Sequence, residues 1–102
     1  MPPSPLVSVI TPAYNAARFI EETVRSVLSQ SFPDFEMLVV DDCSPDETAA
    51  IVGRLAAQDH RVTVLRHPRN LGPAAARESA IEAARGRYLA LGATQRHGPA
   101  LG

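Results

Sequence analysis

The chain has 102 residues, 45% of them hydrophobic and 21% charged, with a formal net charge of −1. Those values describe one small globular unit and exclude a broad electrostatic attraction for nucleic acid or anionic lipid. All ten basic residues are arginine, which excludes a Schiff-base lysine and a phosphate-loop lysine, and the single Cys43 cannot form an internal disulfide.

Met1 to Pro5 is Pro/Ser-rich, lacks the basic and apolar regions of a signal peptide, and reads as a flexible N-terminus. No apolar run approaches the length of a membrane-spanning helix, so the expected location is cytoplasmic. Leu6-Val7-Ser8-Val9-Ile10 is a β-branched run closed by Thr11-Pro12, a buried strand that Pro12 should end. Asn15 is placed to cap a helix in which Ile20, Val24, Val27 and Leu28 recur at three- and four-residue steps. Ser31-Phe32-Pro33-Asp34 stops that helix. Phe35 to Val40 is a second strand running straight into Asp41-Asp42. Ser44-Pro45-Asp46-Glu47 has the form of a capping box with proline at the first helical position. The helix it opens carries Thr48, Ile51, Val52 and Leu55 inside and ends near Asp59-His60. Arg61 to Arg66 is a third strand and His67 to Gly72 a loop. Pro73 to about Arg85 is an alanine-rich helix closed by Gly86 in a C-cap role. Arg87 to Leu91 is a fourth strand, and residues 92–102 have no usable period and read as an unstructured tail.

Strands alternating with helices over residues 6–91 imply an α/β fold, a parallel open sheet with helices on both faces. In such sheets ligands sit beyond the carboxyl ends of the strands, where strand order reverses. The first strand delivers Pro12, Ala13, Tyr14 and Asn15 to that edge, the second delivers Asp41 and Asp42, and Arg77 stands one turn into the third helix. A carboxylate can accept from a base N–H or a ribose hydroxyl, an aromatic can pack on a base, and an arginine can pair with phosphate. Together they suit a nucleotide. Plainer roles exist for each: a solvated turn for the acid pair, a half-buried core ring for Tyr14, a surface charge for Arg77. Ser44 reads as a cap rather than a nucleophile, and His60, His67 and His97 have no metal-ligand spacing. Neither a dinucleotide-binding glycine motif nor a phosphate loop is present.

Three blocks carry a resemblance. Val7-Ser8-Val9-Ile10-Thr11-Pro12-Ala13-Tyr14-Asn15, Leu38-Val39-Val40-Asp41-Asp42-Cys43-Ser44-Pro45-Asp46, and Asn70-Leu71-Gly72-Pro73-Ala74-Ala75-Ala76-Arg77 with Ala84 to Ala90 stand in order and at matching separations. In these blocks the chain resembles family 2 glycosyltransferases of the GT-A fold, over about residues 5 to 91. The resemblance implies the Rossmann-like N-terminal half of that fold and a nucleoside diphosphate sugar as donor, with uridine the family's commonest base. It implies transfer to an acceptor hydroxyl with inversion. By the same resemblance Pro12, Ala13 and Tyr14 line the base pocket, Asp41 and Asp42 accept from base and ribose, and Arg77 lies near the nucleotide or diphosphate. The acceptor itself is not indicated.

The family also carries an Asp-x-Asp after the fourth strand that holds a divalent cation, Mn or Mg. Here Leu91 is followed by Gly92-Ala93-Thr94, and no carboxylate occurs after Glu82. The expectation is therefore a chain without the metal's ligands or the catalytic base and inactive alone, from a truncated or frame-shifted reading of a longer coding sequence. Two alternatives accompany this reading. One is a non-catalytic fragment that binds nucleotide weakly or self-associates through an exposed sheet edge. The other is a receiver-type signalling domain, suggested by Asp41-Asp42 and opposed by the absence of any lysine.

Overall fold

The computed structural model describes residues 5–30 and 33–91. Seven elements alternate: β1 (Val7–Ala13), α1 (Ile20–Leu28), β2 (Phe35–Asp41), α2 (Thr48–Gln58), β3 (Val62–Arg66), α3 (Pro73–Ala83) and β4 (Tyr88–Leu91). All strand pairs are parallel, in the order β3-β2-β1-β4. The chain steps outward from β1 to β3 through α1 and α2, then returns through α3 to the other side of β1. Right-handed crossovers in opposite directions put α3 on the opposite face from α1 and α2.

Side chains alternate across the strands and divide the core in two. Val9, Ala13, Met37 and Val39 pack with Ile20, Val24, Val52 and Leu55, while Ile10, Leu38 and Val40 pack with Ala76 and Ala80 of α3. Alanines at 76 and 80 let α3 lie close to the sheet. Helix α1 has no side-chain cap, but its Ile20 and Val24 are fully buried. Burial contributes roughly 1.5–3 kcal/mol for each of these two residues, more than the ~1 kcal/mol of a typical cap.

The α/β architecture is the expected one, with local corrections. Strand β1 continues through Pro12 to Ala13 instead of ending before it. The Asp42 N–H donates to the Ala13 carbonyl at 2.9 Å, so Ala13 bonds toward β2 and Pro12, one residue earlier, faces the other side. On that side β4 pairs with Val7–Ile10 among the described residues, below the level of Pro12. Asn15 does not cap α1; it sits in the left-handed region at φ 54°. Ser44 does not cap α2 either. Its Oγ accepts the Asn15 N–H at 2.9 Å, and Asp46 accepts the Thr48 N–H of the first turn at 3.0 Å. Helix α3 ends at Ala83 with Ala84 extended, so Gly86 is not its C-cap. The expected tail at 92–102, residues 1–4 of the expected flexible N-terminus, and Ser31 and Phe32 lie outside the described residues.

Candidate functional site

The switch point between β1 and β4 opens toward α3, and a cleft of about 240 Å³ lies at the carboxyl edge beside it. Pro12, Ala13 and Tyr14 come from the end of β1, Asp42 follows β2, Asn70 comes from the loop after β3, and Pro73 and Ala76 come from α3. Whole small-molecule sites occupy roughly 300–1,000 Å³, so this volume suits part of a nucleotide rather than an entire sugar donor.

The β1 wall is fixed from behind. The amides of Asn15, Ala16 and Ala17 donate to Ser44 Oγ, Thr48 Oγ1 and Asp46 Oδ2 at 2.9, 2.9 and 3.1 Å. The segment before α2 therefore staples the backbone that carries Tyr14, whose ring stays 51% exposed on the rim.

Asp42 is the centre of the opposite wall and is buried. Its Oδ1 accepts the Leu71 N–H at 2.9 Å and lies 2.8 Å from His67 Nδ1, while Oδ2 accepts the Gly72 N–H at 2.8 Å. Burial alone would raise its pKa, but the bonds from the Leu71 amide, the His67 ring and the Gly72 amide together hold it below the ordinary carboxylate range. With one donor on Oδ2 against two on Oδ1, Oδ2 keeps an acceptor position. His67 is itself buried, and its Nε2 lies 2.8 Å from Ser79 Oγ. Because Asp42 accepts at Nδ1, a neutral imidazole carries its proton there and takes the Ser79 hydroxyl proton at Nε2.

Of the residues singled out from the sequence, Pro12, Ala13, Tyr14 and Asp42 converge on the cleft. Asn15, Asp41 and Arg77 do not line it. Asp41 is fully buried, with Oδ2 3.3 Å from the Ser44 N–H and 3.4 Å from Arg66 Nε. Arg77 is exposed on α3, one position beyond Ala76. Asn70, Pro73 and Ala76 join the cleft, and His67 and Ser79 stand behind it, none of them assigned a site role from the sequence. Strand register is the signal that could have found His67: it follows Arg66, the partner of Asp41, just as Asp42 follows Asp41. A larger depression along α1 is walled by exposed charged residues such as Glu21 and Arg25, which pair with each other at 2.9 Å.

The family model described as Glycosyl transferase family 2 matches residues 8–91. The chain belongs to glycosyl transferase family 2. TuaG of Bacillus subtilis, a glycosyltransferase assigned by name to teichuronic acid biosynthesis, is 54% identical over 86 residues, 84% of this chain and 34% of that protein. S. aureus TarS, solved in complex with UDP-GlcNAc, superposes with a TM-score of 0.80 at 35% identity over 87% of this chain and 26% of TarS. The mannosyltransferase PcManGT of Pyrobaculum calidifontis, in complex with GDP-Man and Mn2+, gives a TM-score of 0.83 at 31% identity over 96% of this chain and 30% of its own. This family 2 chain thus spans a quarter to a third of the length of these relatives and has the Rossmann-like N-terminal half of the GT-A fold.

The PcManGT complex contains Mn2+. Here, among the described residues, no three His, Cys, Asp or Glu side chains gather where they could hold a metal ion. Asp42 is the one carboxylate among the cleft-lining residues and already accepts from three donors. These residues do not fit a metal.

Proposed function

We propose that the cleft binds the nucleoside end of a nucleoside diphosphate sugar, and that the chain supplies the donor-binding half of a glycosyl transfer, with inversion, to an acceptor hydroxyl. The observation that carries this reading is Asp42: a buried carboxylate, held ionised, with an acceptor position left on Oδ2 and an exposed tyrosine ring across the cleft. Such a carboxylate favours a base with an imino N–H, as uracil and guanine have, over adenine or cytosine, which present a lone pair there. The nucleotides in the TarS and PcManGT complexes, UDP-GlcNAc and GDP-Man, both carry bases of the favoured kind. The diphosphate would lie toward the N-terminus of α3, which opens on Pro73 without a side-chain cap and whose first amides have no partner within the helix, with Arg77 on the next turn. Among the described residues no second carboxylate lines the cleft to take the proton of an acceptor hydroxyl, so the chain is proposed to bind donor without turning it over.

Titration calorimetry with UDP tests the reading. UDP should bind, CDP should bind more weakly, Tyr14→Ala should weaken binding with the fold intact, Asp42→Ala should abolish it, and Mn2+ should change the affinity little. A folded chain that binds no UDP, or binds UDP and CDP alike, contradicts it. A second reading is favoured by β4, all four residues of which are exposed: this strand edge pairs with another copy of the chain.

A further inference from the structure

The cleft wall is backed by a chain of polar groups, two buried and one half-buried, that the nucleotide reading does not use. Asp42, His67 and Ser79 are linked at 2.8 and 2.8 Å, from the end of β2 across the loop after β3 to the middle of α3. The residue types are those of a nucleophilic relay, but the position is wrong for one. Ser79 does not line the cleft, and it lies inside α3, where backbone N–H groups are committed to the helix and none is left for an oxyanion.

We propose instead that His67 is a positioning residue for nucleotide recognition: its Nδ1–H fixes the rotation of the Asp42 carboxylate so that the free acceptor position of Oδ2 meets the base, and Ser79 holds the ring from the far side. This rests on the nucleotide reading above. A carboxylate can turn about its last bond, and a base edge is read only if one oxygen is presented at a set angle. Leu71 and Gly72 supply two of the restraints from the loop leading into α3, where Leu71 is exposed and Gly72 half-buried. The third comes from a ring with 10% of its side chain exposed, anchored at both nitrogens and carried on backbone that continues the β2–β3 ladder, where the His67 N–H donates to the Asp41 carbonyl at 2.9 Å. His67 is therefore the rigid restraint, and it acts on the base only through Asp42.

The test combines one spectrum with two variants of the full chain. Imidazole nitrogen NMR should show His67 protonated at Nδ1; a neutral ring protonated only at Nε2 overturns the proposal whatever the variants do. His67→Phe keeps a ring but removes the donor and should weaken UDP binding at least about tenfold, whereas His67→Asn, whose side-chain N–H occupies the place of Nδ1–H, should stay within about threefold of the natural chain. Rescue by asparagine separates positioning from mere filling of space. If His67→Phe binds UDP as the natural chain does, or His67→Asn binds as poorly as His67→Phe, positioning is wrong while the nucleotide site stands. If the natural chain binds no UDP, the nucleotide reading has failed and the positioning role falls with it.

Discussion

Gly86 closes directly on Ser8. Its N–H donates to Ser8 Oγ at 2.8 Å, and a Cβ at position 86 would stand 2.6 Å from both the backbone nitrogen and the Oγ of Ser8. Ser8 Oγ in turn donates to Glu36 Oε2 at 2.6 Å, and the Arg85 amide donates to the same oxygen at 2.6 Å. This part-buried clamp ties the chain leaving α3 to the amino ends of β1 and β2, opposite the cleft.

Because backbone atoms cannot yield there, Gly86→Ala should destabilise the fold by roughly 2–3 kcal/mol or more. Gly53 is the contrasting case: it lies in α2 with nothing within 4 Å of the added carbon. Gly53→Ala should stabilise by roughly 0.5–1 kcal/mol. Urea melts of the two variants check both signs.

Acid should unfold the chain through its bonded carboxylates. Glu36 and Asp46 are held below the ordinary range: burial opposes this, but for Glu36 the Arg85 amide and Ser8 hydroxyl outweigh it, and for Asp46 the Thr48 hydroxyl and amide do. Asp59 is lowered to about 2, first by the Arg61 side chain and then by its amide. A carboxyl whose pKa is lower folded than unfolded stabilises the fold fully above its unfolded value and loses that contribution as pH falls through the folded one. For Asp59 the window runs from its ordinary 3.8 down to about 2. The melting temperature should hold from pH 7 to about 5 and fall steeply below about 4. Thermal melts that rise on acidification contradict this.

Asp46 ties the β1–α1 loop to the start of α2, accepting from the Ala17 amide at 3.1 Å and the Thr48 amide at 3.0 Å. Asp46→Ala should cost about 1–2 kcal/mol, and Asp46→Asn, which keeps an acceptor oxygen, should cost less. Equal losses in denaturant melts would mean that charge rather than the bonds matters.

The fold was legible because hydrophobic runs and helix stripes are local. The order of elements and the burial of Ile20, Val24, Val52 and Leu55 follow from spacing alone. The continuation of β1 through Pro12 and the close approach of Gly86 are not local signals: one follows from the pairing of Ala13 with β2, the other from the backbone of Ser8. The capping box at Ser44 was a sound local signal overridden by tertiary demand, since the Asn15 amide takes its hydroxyl. At the cleft, Tyr14 and Asp42 were readable as strand-end residues. The burial of Asp41 was not, because adjacent residues after a strand point to opposite faces and the sequence does not say which faces the cleft. His67 was missed for want of the register between β2 and β3.

Strand β4 leaves Leu89 50% and Leu91 70% exposed. If its edge pairs copies of the chain, Leu89→Lys and Leu91→Lys together should shift size-exclusion elution toward the monomer while leaving the monomer's melting curve nearly unchanged. Elution independent of both concentration and these substitutions would remove the self-association reading.

Nucleotide binding at the carboxyl edge can be read residue by residue from an amide NMR map of the full chain titrated with UDP. Binding at the cleft should move the signals of Tyr14, Asp42, Leu71, Gly72 and Ala76 together, with one shared saturation curve. Signals that stay fixed there, or that move instead along the outer face of α1, would contradict it.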